Sequence, residues 1–410
     1  MGYVGTFCQL CGVSFAIART RGAHEPYESA WEYHGSDYVD SNYMCEATSG
    51  CRSFQREEGG DEEHVAGPGC YSGQGYCGYR LSLEEMSGCR ALQCMIKKGE
   101  DWEVESDDQE FEKASNYFLT GVSDGSPDEA PAMDLKPVRH GVEEVWVSNI
   151  TYDSFEDDMG FPFHPTCFEI FKRVSVERLD QVDVHGLWSW RDLEGSYEEF
   201  FEQFPRAFEV KNGNEQTWHH EPGNEYLAAN PIDIPGFLIL LKKSEKEFVY
   251  EGKKKLPYDT NSGVFTFTYK IGRDTFKSMH KTPPPGTASD VFSRLPNELR
   301  YMIISQLPAR DIANLRLVTP AYRQLSISVF RHLIFHEMPW LWEACDLPVG
   351  NTDWYFLYTK MKFAWQNLKG VQNRKRVWKD VNEIVTRIEK YRKEGSISDG
   401  PEESEYESNE

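Results

Sequence analysis

The chain has 410 residues, of which 39% are hydrophobic and 14% aromatic, and its formal net charge is −23. This length and apolar content suffice for two or three packed domains. The strong negative charge disfavours nucleic acid and anionic membrane as partners, because both are polyanions. The apolar runs are too short to span a bilayer, so the sequence predicts a protein of the cytoplasm and/or the nucleus, without a membrane partner.

The first part of the chain is rich in cysteine, glycine and aromatic residues. Eight of the ten cysteines fall within the first 94 residues. Turn signals such as Gly67-Pro68-Gly69 predict short strands and loops here, with one helix near Ser82–Cys89. A helical pattern begins near Phe163, where Pro165 suits the first turn of a helix.

The middle of the chain changes pattern several times. Helical patterns cover Val176–Leu193 and Tyr197–Phe208, and strand-like apolar runs lie at Phe237–Leu241 and Val264–Tyr269. Three successive prolines in residues 281–289 predict a stiff linker, because proline can join neither a helix interior nor a central strand.

Residues 290–335 predict three short helices. Pro296, Pro308 and Pro320 stand where helices can end or begin, since proline in a first turn loses no hydrogen bond. The expected apolar faces are Leu299, Met302 and Ile303 on the first helix, Ile312, Leu315 and Val318 on the second, and Tyr322, Leu325 and Val329 on the third. Three helices of this length bury little core, so a partner should stabilise them. Periodicity alone fits core helices of a larger α domain equally well.

The motif within these helices identifies a resemblance. Leu295-Pro296-x-Glu298-Leu299, Ile303, Leu307-Pro308, Asp311 and Leu315-Arg316-Leu317-Val318 closely resemble the F-box family motif. In that family the motif binds the adaptor subunit of an SCF-type cullin–RING ubiquitin ligase. The resemblance implies a set of adaptor-facing residues, some of which must also fill the core: Leu295, Pro296, Leu299, Ile303, Leu307, Pro308, Leu315 and Val318. Segments such as 8–15, 64–70 and 373–378 also resemble large F-box proteins of filamentous fungi.

The resulting expectation is an α+β protein in which a mixed, Cys- and aromatic-rich domain precedes an all-α F-box domain. Residues 1–280 form the mixed domain and bind an unknown target protein, residues 281–289 are the linker, and residues 290–335 are the F-box. Residues 336–394 are helices that pack on the rest, and residues 395–410, with six acids and no base, form a disordered tail. The implied function is recruitment of substrates to the SCF adaptor and cullin complex. The alternative is a zinc-stabilised protein–protein interaction scaffold that does not act in a ubiquitin ligase.

The cysteines predict a structural zinc site. Cys8-x-x-Cys11 has the spacing of a zinc knuckle, and His164 and Cys167, three apart at a helix start, can supply the second pair of ligands. Four N/S ligands with no open position would make the site structural. Alternatively, Cys167 is a buried thiol, or His164 and Cys167 form a nucleophilic pair. A second site is conceivable among cysteines 70, 77, 89 and 94, with His64.

Enzyme signatures are lacking in the sequence. It contains no P-loop, dinucleotide-binding fingerprint, nucleophile elbow or metalloprotease motif, so we assign no catalytic residues and do not expect an enzyme. Residues 353–393 predict two helices that carry the basic run Arg374-Lys375-Arg376. This run is either a nuclear-import or nucleic-acid patch, or a solvated basic face on helices whose aromatic stripe packs on the acidic N-terminal domain.

Overall fold

The structure is a computed structural model. It describes residues 7–15, 17–31, 45, 47–55, 62–70, 75–99, 102–124, 134–135, 139, 145–147, 159–194, 204, 206–214, 223–245, 290–322 and 325–398. Several predicted features lie outside these ranges: the strand Val264–Tyr269, the linker 281–289, residues 197–203 of a predicted helix and residues 399–410 of the predicted tail.

The α+β class is confirmed, and the chain divides into two compact units. Unit 1 comprises residues 1–234 and 368–410, and unit 2 comprises residues 235–367. Unit 1 is therefore discontinuous in sequence, since its last segment follows unit 2.

The strands that the structure describes belong to unit 1. In the described ranges they are β1 (Arg19–Thr20), β2 (Arg52–Gln55), β3 (Glu62–Val65), β4 (Tyr76–Cys77), β5 (Ala91–Lys97), β6 (Tyr117–Leu119), β7 (Ser123–Asp124), β8 (Asp134–Leu135), β9 (Val145–Val147) and β10 (Met159–Phe163). The largest sheet has the order β6-β5-β10-β9-β8, with β7 also paired to β5. Strand β10 runs antiparallel to β5 and parallel to β9. Strands β2 and β3 form an antiparallel pair, and β1 pairs with β4 in parallel.

Helices occur in both units. In the described ranges they are α1 (Glu110–Ala114), α2 (Pro165–Leu179), α3 (Val184–Leu193), α4 (Phe208–Asn214), α5 (Phe237–Lys243), α6 (Asn297–Ser305), α7 (Ala309–Val318), α8 (Ile327–Glu337), α9 (Trp354–Asn367) and α10 (Lys369–Lys393). Short 3-10 helices cover Tyr27–Ser29, Ala47–Ser49, Glu225–Ala228, Val291–Arg294, Pro320–Tyr322 and Trp342–Asp346. None of the helices in these ranges is long and apolar enough to cross a membrane.

Helix α2 connects the sheet of unit 1 to the end of the chain. It begins after β10, with Pro165 in its first turn, and ends at Leu179. The next residue, Asp180, adopts a left-handed conformation with φ of 61°. Helix α2 contacts β5 on one side and α10 on another. The buried residues of α10 recur at helical spacing along its length: Val371, Val377, Val381, Ile384, Val385 and Ile388. This long apolar face holds the C-terminal helix in the core of unit 1.

Two predicted elements differ in the structure. Residues 82–89 are a run of turns rather than a helix, although the backbone amides of Ser82 and Glu85 each donate to the other residue's side chain, at 2.9 and 3.2 Å. The predicted strand Phe237–Leu241 is wrong, because this segment is helix α5. Its buried residues, Phe237, Leu240 and Leu241, have helical spacing, and a short uninterrupted apolar run fits both structures.

Unit 2 contains the three predicted helices as α6, α7 and α8, with α5 and α9. The Pro320 segment is a 3-10 turn, after which α8 begins at Ile327. The core of the three helices consists of Ile304, Ile312, Tyr322, Leu325, Val329, Phe330, Leu333 and Ile334, which are all buried. The inward positions predicted for Tyr322, Leu325 and Val329 are confirmed. Helix α8 packs on both α6 and α9.

Candidate functional site: two Cys/His clusters and an exposed F-box face

The Cys8–Cys11 segment forms a tight turn. The Cys8 amide donates to the carbonyl of Val13 at 3.0 Å, and the Gly12 amide donates to the carbonyl of Cys8 at 2.7 Å. Gly12 has φ of +75°, and a Cβ there would lie 2.8 Å from side-chain atoms of Arg206 and Val210. Glycine is therefore required here both by the backbone conformation and by the close approach.

The fold brings all four predicted metal-ligand residues together. Strand β10 delivers His164 and helix α2 delivers Cys167 to the turn that carries Cys8 and Cys11. Their ligand atoms all lie within 4.8 Å of one another, and all four residues are buried. The Nδ1 atom of His164 lies 3.5 Å from Cys11 Sγ and 4.0 Å from Cys167 Sγ. The backbone amide of His164 donates to Cys8 Sγ at 3.4 Å.

These distances suit a tetrahedral ion. Zn–S bonds of about 2.3 Å and Zn–N bonds of about 2.0–2.1 Å place neighbouring ligand atoms about 3.5–3.8 Å apart. The Nε2 atom of His164 lies 2.9 Å from the carbonyl oxygen of Cys89. A proton on Nε2 donates to that carbonyl and leaves the Nδ1 lone pair directed at the sulfurs, which is the arrangement of a metal-binding imidazole. The partner that orients His164 is thus a backbone carbonyl, not the carboxylate or amide of a nucleophilic triad.

The electrostatics of this first cluster favour negative sulfur beside a cation. Burial alone would lower the pKa of His164, but the charges of Cys8 and Cys11 raise this pKa to about 10. Burial would raise the pKa of Cys11, yet hydrogen bonds with Cys167 and Cys8 bring it well below its usual value. Hydrogen bonds that the Cys167 thiol donates to Cys11 and Cys8 raise the pKa of Cys167.

Two buried arginines hold the backbone of the cysteine turn. Arg206, just before α4, donates to the carbonyls of Gln9 at 2.7 Å and Leu10 at 3.1 Å. Arg376 of α10 donates to the carbonyl of Cys11 at 2.7 Å. Segments far apart in sequence therefore fix the loop that presents the two thiols.

A single carboxylate lies between these arginines. Asp380 Oδ2 is 3.2 Å from Nη1 of Arg376 and 3.7 Å from Nη1 of Arg206. Burial raises the pKa of Asp380 to about 6, while the charges of Arg376 and Arg206 favour its ionised form. Two guanidinium groups and one carboxylate leave this buried group of three side chains with a net charge of +1.

The predicted solvated basic face is wrong for two of its three residues. Arg374 and Arg376 are buried in unit 1, and only Lys375 is half-buried. Arg374 donates from Nε to the carbonyl of Pro231 at 2.6 Å. In the sequence, the basic run resembles a nuclear-import signal or a nucleic-acid patch. In the structure, backbone carbonyls accept hydrogen bonds from its two arginines, Arg374 and Arg376.

A second cluster lies elsewhere in unit 1. Cys45, Cys51, His64 and Cys70 have ligand atoms within 4.8 Å of one another. Cys45 Sγ is 3.8 Å from Cys70 Sγ, and Cys70 Sγ is 3.9 Å from His64 Nε2. The amide of Gly67 donates to Cys51 Sγ at 3.3 Å.

The membership of this cluster corrects the expectation from sequence. Cys70 and His64 belong to it, but Cys77 lies outside it, where it packs against Cys70 and forms a hydrogen bond with that thiol. Cys89 contributes its carbonyl to the first cluster instead, and Cys94 is buried on β5, where desolvation raises the pKa of its thiol. Sequence reasoning missed Cys45 and Cys51, because their spacing does not match that of a zinc knuckle.

The helices α6 and α7 expose apolar side chains. None of the eight predicted adaptor-facing residues is buried. Pro296, Leu299, Pro308 and Val318 are exposed, and Leu295, Ile303, Leu307 and Leu315 are half-buried. The exposed fraction is 81% for Leu317, 77% for Val318, 61% for Met302 and 45% for Leu299. Leu317 stood in the recognised motif but not among the predicted adaptor-facing residues, and Met302 had been placed only on an apolar helix face.

Comparison with known proteins identifies this part of the chain. The family model of the F-box domain matches residues 292–333, from the 3-10 turn before α6 into α8. Residues 292–333 are therefore an F-box domain. An F-box domain supports a protein-interaction role.

The remaining comparisons add little to the F-box assignment. The chain is 37% identical over 79 residues to "ATP-dependent RNA helicase mss116, mitochondrial" of Aspergillus oryzae. That similarity covers 19% of this chain and 12% of the relative, so it is a short partial match. No solved structure matches this chain.

Proposed function

We propose that this F-box protein recruits target proteins to an SCF-type cullin–RING ubiquitin ligase. The exposed apolar residues within the F-box match carry the proposal. Unit 1 is the part that binds the target, and the protein acts by proximity: it raises the concentration of a target lysine near the ubiquitin thioester without catalysing a bond change itself. We place the protein in the cytoplasm and/or the nucleus, because thiols stay reduced in these compartments and remain available to bind metal.

The exposed F-box residues offer a substantial binding energy. Full burial of a Leu, Val or Met side chain contributes about 1.5–3 kcal/mol. At the exposures of Leu317, Val318 and Met302, burial against an adaptor contributes about 1–2 kcal/mol each. Because every 1.4 kcal/mol is about a tenfold change in affinity, truncation of one of these side chains should weaken the complex measurably.

The test compares variants that leave the internal core untouched. Leu317→Asp and Met302→Asp place a charge on the proposed adaptor face. The matched control is Val349→Asp, since Val349 is also an exposed apolar residue of unit 2, at 60%, but lies outside the F-box. Each full-length chain is mixed with purified adaptor to measure the dissociation constant, and is also isolated from cells to identify co-purifying proteins by mass spectrometry.

The outcomes separate the two functions considered. We expect the wild type and Val349→Asp to retain adaptor and cullin, and Leu317→Asp and Met302→Asp to bind the adaptor at least about tenfold more weakly. Proteins retained by all four chains are target candidates. Adaptor binding without cullin would favour the scaffold alternative, and unchanged binding by Leu317→Asp would refute the proposed adaptor face.

We also propose a structural zinc ion at Cys8, Cys11, His164 and Cys167. Zinc with three thiolates and a neutral imidazole carries a net charge of −1, and Arg206, Arg376 and Asp380 next to it carry +1. This charge balance supports a bound zinc site, because an uncompensated buried charge is strongly unfavourable. All four ligand positions come from the chain, so the ion would have a structural role.

Zinc content and thermal stability test this proposal together. The full chain, purified under reducing conditions without chelator, should lose one equivalent of zinc in Cys8→Ser/Cys11→Ser, while the exposed thiol variant Cys345→Ser retains the wild-type content. A chelator should lower the melting temperature of unit 1, because metal binding adds to the folding free energy. Identical zinc content in wild type and double variant would exclude zinc at this cluster.

A further inference from the structure

We propose that Cys45, Cys51, His64 and Cys70 bind a second structural Zn²⁺ ion. This site is separate from the Cys8 cluster and independent of the F-box. Three thiols and one imidazole converge with all four ligand atoms within 4.8 Å, although the residues come from separate segments of unit 1. The inference rests on this convergence and on the backbone contacts that produce it.

One observed separation matches an edge of a zinc tetrahedron, and a second is slightly longer than such an edge. The distance of 3.8 Å between the sulfurs of Cys45 and Cys70 equals the value expected for two thiolates on one zinc ion, and His64 Nε2 lies 3.9 Å from Cys70 Sγ. The backbone amide of Gly67 donates a hydrogen bond to Cys51 Sγ, and such a bond stabilises a zinc thiolate.

The backbone fixes the two loops that carry the thiols. A Cβ atom on Gly67 would lie 2.1 Å from the carbonyl carbon of Gly50 and 2.5 Å from the amide of Cys51, so only glycine permits the observed contact. The amide of Gly69 donates to the carbonyl of Ser49 at 2.9 Å. These contacts seat the loop of Cys70 directly on the loop of Cys51.

The strand pair β2–β3 supplies the fourth ligand. His64 of β3 lies opposite Ser53 of β2 in the antiparallel register. A zinc ion bound here would join this pair to the loops before and after it, and each of the three thiols would release its proton on binding.

The ligand chemistry selects zinc and a structural role. Thiolate and imidazole in a tetrahedral set favour zinc over harder cations, and four protein ligands leave no position for a reacting water. Three residues of this cluster are half-buried, whereas all four of the Cys8 cluster are buried. The second ion should therefore exchange faster with a chelator than the first.

The experiment counts zinc in the full-length protein. The wild type, purified under reducing conditions, should contain two equivalents by elemental analysis, and Cys45→Ser/Cys70→Ser should contain one. His64→Ala should also lose one equivalent, while His64→Cys should keep two, because a thiolate can replace the imidazole. Retention of zinc by His64→Cys shows that a loss in His64→Ala is not a general folding defect.

Further readings distinguish the competing explanations. Cys77→Ser and Cys345→Ser should both retain two equivalents. In the Cys8→Ser/Cys11→Ser protein, Co²⁺ should still give the visible spectrum of a tetrahedral site with three thiolates, which isolates the second site from the first. The proposal is overturned if the wild type binds one equivalent that Cys45→Ser/Cys70→Ser retains, or if Cys77→Ser loses zinc while Cys45→Ser does not. A wild-type mass lower by two hydrogen atoms, with a disulfide between Cys45 and Cys70, would also overturn it.

Discussion

Replacement of Arg376 by methionine tests how the C-terminal helix supports the N-terminal cysteine turn. Arg376 donates to the carbonyl of Cys11 at 2.7 Å and, through Nε and Nη2, to Oδ1 of Asn373 at 3.1 and 2.8 Å. Both acceptors are buried, so the variant leaves them without this donor. A buried acceptor that loses its partner destabilises a protein by about 1–3 kcal/mol, so the two acceptors together give about 2–6 kcal/mol.

The charge change limits this estimate from above. After the replacement, Asp380 still has Arg206 3.7 Å away, so no carboxylate is left buried without a cation. We therefore expect a loss in the lower half of that range, about 3 kcal/mol, and not the roughly 5 kcal/mol at the upper end for a broken buried ion pair. For a unit of this size it corresponds to a melting temperature about 6–10 °C lower.

The assay follows thermal unfolding of the full chain in the presence of excess zinc. Lys379→Met is the matched control, because Lys379 is a cation on the same helix but is exposed. If the zinc proposal is correct, Arg376→Met should also weaken zinc binding about 10–100-fold, since it removes a positive charge next to the thiolates. If Arg376→Met melts at the same temperature as the Lys379→Met control, Arg376 does not stabilise the cysteine turn.

Two further predictions concern single side chains. Glu337→Gln should destabilise unit 2 by about 1–3 kcal/mol, because the carboxylate accepts from Tyr358 at 3.0 Å and pairs with Lys362 at 2.7 Å. Burial acts to raise the pKa of Glu337, but these contacts bring it below the ordinary 4.5. The stability difference between Glu337→Gln and the wild type should therefore be complete above pH 4.5 and should vanish as the pH falls through the lower pKa of the folded state. Melting temperatures measured over a series of acidic pH values test this. Gly12→Ala should lower the melting temperature of unit 1, because alanine adds left-handed backbone strain of about 1–2 kcal/mol and a steric clash. Gly99→Ala is the control and should be neutral, because the space around Gly99 is open. Equal melting curves for the two alanine variants would contradict this account.

Local sequence signals predicted the parts of the structure that depend on near neighbours. Proline positions and apolar spacing gave the F-box helices, and Pro165 gave the start of α2. The Cys8–Cys11 and His164–Cys167 pairs were recognisable because each lies within one turn of the chain. The four-residue site then required only that these two short motifs, each with two metal ligands, lie close together in the fold.

Features that depend on tertiary contacts were not predictable in the same way. The apolar run Phe237–Leu241 fits a strand or a helix, and only burial at helical spacing decided for α5. The basic run around Arg376 resembles a surface patch, but the chain returns it to the core of unit 1, where carbonyls accept its hydrogen bonds.

The sequence by itself determined the F-box and the first Cys/His cluster, because both are encoded in short, regularly spaced motifs. The tertiary structure alone decided the second cluster, where Cys45 and Cys51 join His64 and Cys70 in place of the other nearby cysteines. It also decided which F-box residues point inward, such as Ile304 and Ile312, and which remain exposed. The physical reason is the same in both cases: side chains from separate segments meet only when the backbone contacts between those segments have formed.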